Sequence, residues 1–341
     1  MNPVRNSKNP YFYLLKRLKS RRKKREISNG VKKTIFIFSF AIFLFSSLGV
    51  NAETLGEQRS FYVQKDYDLS QREEIQAKLV KVTSELYFYI DSEWWNSSSQ
   101  NQVYSSLSVL DEEFKNTIYP VLTSTFGQEW KPGIDNDEKI TILIHPMIAE
   151  AGGYFNSGNE YPNLQVTDSN EREMVYLNAE YIGNLQMKSY LAHEFVHLIA
   201  FNQKERMYGD SGEIWLNEAR ADYAPTLLGY DDVYVGSNLS RRVSGFLEKP
   251  SDSLTEWKSK DSDYGVANLF IQYLVDHYGV GILVDSLKSP KQGIDSINYA
   301  LNNNGFNKDF SEVFTDWTIA VLVNDCKIGE LYCYLNPGLK N

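Results

Sequence analysis

The chain has 341 residues, 42% hydrophobic and 14% aromatic, which excludes a disordered or fibrous protein and allows one large domain or two packed lobes. Its formal charge of −9 hides a split: residues 1–52 hold 12 of the 35 Lys/Arg and a single acid, Glu26, leaving 23 basic against 43 acidic residues beyond. A body that acidic repels phosphate backbones, which excludes nucleic acid as a partner, and it suits an exported protein that must stay dispersed.

The basic head, with Arg21 to Arg25 and then Lys32 and Lys33, runs into the apolar stretch Thr34–Val50. Small residues at Val50 and Ala52 follow at the spacing of a cleavage site. That order predicts a secretory signal over residues 1–52; an uncleaved membrane anchor is the alternative. Either way the body is expected outside the cytoplasm, secreted or at a bacterial cell surface, touching a membrane only through this segment.

Residues 53–70 are polar and read as a loose linker. From Gln71 to Tyr89, apolar residues recur at Ile75, Leu79, Val82, Leu86 and Tyr89, a spacing that predicts a helix. A second helix is expected over about Val103–Thr125. Lys139–His145 is β-rich after the turn-forming Gly133–Asp137, and Met174–Leu177 reads as a second strand. Asp135, Asn136 and Asp137 look like part of a calcium loop, but no glycine or closing glutamate follows, so a polar turn is expected.

Helices are then predicted from Lys188 to Phe201, from Gly212 to Leu228, and over 265–278, 281–287, 294–302 and 310–323. The fold class is therefore α+β: a mixed α/β N-terminal lobe (about 71–203) carrying the active-site helix, and a mainly helical C-terminal lobe (about 204–325). Residues 326–341 read as a tail. Within it, Cys326 and Cys333 either close a short disulfide loop or stay free.

The chemistry lies in HEFVH, His193–His197. Residues four apart share a helical face, so both imidazoles can reach one metal ion, for which zinc is suited. Glu194 is placed to act as general base on an attacking water. The chain has four histidines, and two stand in this motif. A third ligand is expected in WLNEARADYA, where Glu218 comes 21 positions after His197, room for a turn and an antiparallel helix. Asp222, one turn further on, can accept a hydrogen bond from the far nitrogen of a ligating histidine.

HExxH followed by NExxxD resembles the gluzincin pattern of thermolysin-type peptidases, and more closely the hyicolysin-like family of bacterial secreted zinc metallopeptidases. The resemblance rests on GGYF (152–155), SNEREMVYLNAE (169–180), LAHEFVHLIAFNQ (191–203), WLNEARADYA (215–224) and DYGVANLFIQYLVDHYG (263–279), and spans roughly residues 75–325. It implies a zincin-like fold with zinc between two lobes. It also implies a Tyr264 phenol facing the metal, where it can stabilise an oxyanion, and an edge at Met174, Val175 and Tyr176 that pairs with extended substrate. The chain departs from the pattern in having Ala-Arg-Ala after Glu218, where Gly-Leu-Ser is frequent, so the cleft surface is expected to differ.

His277 is expected to be a surface or capping residue in preference to an oxyanion donor. Gly209–Gly212 spells GDSG, but the rest of a serine-protease signature is missing, and Asp210 is expected to cap the helix of Glu218 with Glu213 as its partner. The expected function is zinc-dependent hydrolysis of peptide bonds in protein or peptide substrates. The alternative is a catalytically silent, exported zinc-binding or surface-interaction protein on the same scaffold.

Overall fold

A computed structural model of the chain describes residues 53–340; the expected signal or anchor, 1–52, lies outside the described residues. Among the described residues, no helix is long and apolar enough to cross a membrane. The fold is α+β, with one mixed sheet followed by a run of helices.

Six strands form the sheet: β1 (Gln58–Tyr62), β2 (Glu74–Val82), β3 (Leu86–Asp91), β4 (Ile140–His145), β5 (Gly153–Phe155) and β6 (Met174–Asn178). Their order is β1-β2-β3-β4-β6-β5. β3, β4 and β6 run parallel, and β5 closes the sheet antiparallel to β6. The parallel centre is covered on both faces, so every residue of β3, β4 and β6 is buried and most are apolar or aromatic.

The helix expected over Gln71–Tyr89 is instead the β2–β3 hairpin. In β2, Ile75, Ala77 and Leu79 point inward while Glu74 and Gln76 are exposed, the period of two that marks a half-buried strand. A register shift between Leu79 and Lys81 then buries Val80 as well. That bulge breaks the alternation and leaves apolar residues at spacings that imitate a helix. The stretch expected as a loose linker is also ordered. β1 pairs with β2, and Asp68 is fully buried, bonded to His145 Nδ1 at 3.2 Å and to Arg72 Nη2 at 2.8 Å.

Helix α1 is Ser92–Ser97; α2 (Gln100–Glu113) continues through a π turn into α3 (Tyr119–Phe126). α4 (Gln186–Ala200) packs on β6 and β5, and leads through a second π turn to α5 (Ile214–Leu227). α6 (Asn238–Glu248), α7 (Asp261–Tyr278), α8 (Gly281–Leu287), α9 (Gly293–Asn303) and α10 (Phe310–Val323) follow. One apolar core runs from Phe88 and Ile142 of the sheet through Phe195 and Trp215 to Phe270 and Trp317.

Asp210 does not cap α5. Glu213 occupies the N-cap position and its carboxylate accepts from Trp215 Nε1 at 2.6 Å, while Asp210 accepts from Gly212 N at 2.7 Å in a tight turn. Asp135 and Asp137 each accept a backbone N–H two residues on, as a polar turn requires. The last residues pack inward: Cys326 and Cys333 are bridged, and Tyr334 is buried, its hydroxyl accepting from Trp317 Nε1 at 2.8 Å.

Candidate metal centre

α4 and α5 lie side by side, and His193 and His197 of the first meet Glu218 and Asp222 of the second. His193 and His197 stand one turn apart on α4. Their Nε2 atoms approach to 3.1 Å, and Glu218 of α5 brings Oε2 to 3.4 Å from His193 Nε2 and Oε1 to 3.7 Å from His197 Nε2. Tetrahedral zinc with ligand bonds near 2.0–2.1 Å sets its donor atoms about 3.3 Å apart. The three donors therefore fit such an ion without moving a helix. Asp222, one turn beyond Glu218, lies 3.2 Å from His193 Nδ1 and fixes which ring nitrogen faces the trio.

The electrostatics follow from burial and partners. Burial alone would raise Glu218, but the two imidazoles hold its carboxyl well below the usual range. Asp222 is likewise buried, yet the Arg242 guanidinium and His193 hold it down at about 2. Burial works against a charged His193, and its bond to Asp222 outweighs this and pushes it up to about 10. A divalent cation at the trio would take the place of that proton. Glu194 moves the other way: burial raises it, opposed by the two histidines.

A cavity of about 670 Å³ opens on the His193 side, lined by Glu194, Tyr264, Tyr67 and Arg242 among others. A second, of about 410 Å³, reaches His197, Glu218 and Phe155 from the other side. Tyr264 lies in the first turn of α7 and lines this cavity, with Arg242 stacked 4.3 Å from its ring and Trp257 edge-on at 4.7 Å. Burial and the Glu218 charge raise its phenol, so it stays a donor.

Met174, Val175 and Tyr176 do not form an edge. β6 lies between β4 and β5, with all five residues buried, because β5 adds antiparallel to its far side. The edge nearest the metal helix is β5. Its glycines explain GGYF: a Cβ on Gly153 would stand 2.6 Å from Tyr176 O and 3.1 Å from Glu194 Cγ, and one on Gly152 would overlap the Tyr190 ring. Only glycine lets this strand approach α4 so closely.

Two residues enter the site unannounced by motif. Arg242 of α6 donates from Nη2 to Asp222 Oδ1 at 2.8 Å, with its Nε 2.6 Å from Oδ2. Tyr67, from the segment read as a linker, stacks on Tyr154 of β5 with ring centroids 4.8 Å apart. Burial raises its phenol, and the charges of Glu218 and Glu194 raise it further, so the hydroxyl lies within their field. The Arg of Ala-Arg-Ala, Arg220, faces away from the cleft; it is 2% exposed and donates to Leu283 O and Ser286 Oγ of α8. His277 is remote as well, bonded to Cys333 O at 2.9 Å. Compared with models of known protein families and with curated proteins, the chain matches none.

Proposed function

We propose that this chain is a zinc metallopeptidase with a zincin-like fold, hydrolysing peptide bonds outside the cytoplasm. The reading is carried by one observation: two imidazole nitrogens and a carboxylate, 3.1–3.7 Å apart, with a buried glutamate beside them on the same helix. His193, His197 and Glu218 would hold the ion. When bound, zinc supplies the positive charge that polarises a scissile carbonyl and acidifies water.

The chain's own residues do the rest. Glu194, at the wall of the larger cavity, accepts the proton of the attacking water and returns it to the departing amine. The Tyr67 and Tyr264 phenols, kept protonated by burial and nearby carboxylates, donate toward the developing oxyanion. An extended peptide pairs with β5, the sheet edge beside α4, and not with β6.

Zinc quantification on purified protein, beside a peptide-library digest with and without chelator, tests this. The expected result is one zinc per chain and cleavage that stops on chelation and returns with zinc. Bound zinc with no turnover of any peptide would leave the silent, zinc-binding alternative in its place.

A further inference from the structure

Away from the trio, a second group of oxygen donors is buried with nothing to bind. Glu160 ends a short 3₁₀ turn, Ser157–Glu160, that follows β5, and it is 2% exposed. Neither of its carboxylate oxygens meets a hydrogen-bond donor. The Glu173 carboxylate, just before β6 and also 2% exposed, faces it. Glu173 Oε1 accepts from Ile134 N at 2.7 Å, but its Oε2 has no partner. The loop ahead of β4 closes over that oxygen: Gly133 has φ +91°, and a Cβ there would overlap Glu173 Oε2. Asp135 and Glu205 surround Glu160 with further negative charge. The nearby cation, Arg172, is paired with Glu53 and reaches Asp135 only at 4.0 Å.

Three buried carboxylate oxygens, both of Glu160 and Oε2 of Glu173, thus have no donor from the rest of the chain, and the two carboxyl groups face each other. A shared proton joins one pair of oxygens and leaves the third unpartnered. A cation satisfies all three at once.

We propose that Glu160 and Glu173, with the Asp135 loop around them, form a calcium site separate from the His193–His197–Glu218 trio. The donors are hard oxygens without a nitrogen or sulfur among them, which disfavours zinc. They come from irregular segments, and calcium accepts the variable, six-to-eight-fold oxygen coordination such segments can offer, whereas magnesium demands a regular octahedron. The ion would join three pieces of chain: the loop before β4, the turn after β5 and the start of β6. Because the turn after β5 follows directly from Phe155, beside His197, calcium would hold the edge strand against the metal helix.

The test uses the full chain loaded with zinc. Calcium chloride is titrated by calorimetry, and thermal unfolding is followed with and without millimolar calcium. The site predicts one calcium per chain and a melting temperature raised by several degrees. Both effects disappear in Glu160→Gln, whose amide matches the carboxylate in shape and can donate to Glu173. They persist in His193→Ala, which separates this site from the trio. If Glu160→Gln does not fold, Glu173→Gln is read the same way. No calcium binding by the parent protein, or binding undiminished in the glutamine variant, overturns the proposal.

Discussion

Asp222 holds His193 and Arg242 at once: its Oδ1 lies 3.2 Å from His193 Nδ1 and accepts from Arg242 Nη2 at 2.8 Å. The ring nitrogen that His193 turns toward His197 and Glu218 is thereby fixed by a charge on the neighbouring helix, and that charge is balanced by a third helix. Asp222→Asn keeps an oxygen acceptor but removes the charge. Zinc affinity is expected to fall about 10–100-fold, read by competition with a chelator of known affinity. Asp222→Ala also strands a buried guanidinium and is expected to cost about 3–5 kcal/mol of stability in denaturant titration. Unchanged zinc affinity in the asparagine variant would remove this residue from the metal centre.

Glu194 differs from the trio in what it should lose. It is not among the three converging donors, so Glu194→Gln is expected to retain one zinc by elemental analysis. Its contribution is proton transfer, so kcat should fall by about 10²–10⁴-fold, with KM little changed. His193→Ala should lose both zinc and turnover. A glutamine variant as active as the parent contradicts the mechanism.

Two phenols share the same cleft, and both are raised partly by the charge of Glu218. Tyr67→Phe and Tyr264→Phe remove only the donors, since the ring stacking on Tyr154 and beneath Arg242 is kept. Each is expected to lower kcat by roughly 10²-fold, the usual cost of losing one oxyanion donor, without unfolding the protein. Full turnover in both variants would mean that neither hydroxyl reaches the reacting atoms.

The legible part of this site was local. HEFVH places its imidazoles through helical geometry alone, and Glu218 follows within one turn and one helix. Arg242, Tyr67 and the β5 edge were not legible, because each comes near the histidine–glutamate trio only through long-range pairing. Nothing near Arg242 distinguishes it from Arg241, which turns instead to Tyr190 and Asn238. Strand order decides that Gly153–Phe155, not Met174–Tyr176, borders the cleft, and strand order is not a property of either segment. The β2–β3 hairpin was misread for a physical reason of its own: the bulge after Leu79 erased the alternation by which a strand is recognised.

The facing carboxyls of Glu160 and Glu173 give stability a pH dependence of unusual sign. Burial raises both, Glu160 further by the charge of Glu173, and Glu173 reaches about 7 against an ordinary value of 4.5. Between those pH values the folded state binds more protons than the unfolded chain, so stability falls as pH rises. In calcium-free buffer the loss from pH 5 to pH 8 is expected to be on the order of 2 kcal/mol, seen as a declining melting temperature. Glu160→Gln, neutral throughout and able to donate to Glu173, should flatten that decline, and the difference between variant and parent isolates the pair from every other group of the chain. Calcium should flatten it as well, by stabilising the ionised pair that high pH produces. A parent protein whose stability rises from pH 5 to pH 8 in parallel with the glutamine variant would show that these two carboxyls ionise freely in the fold.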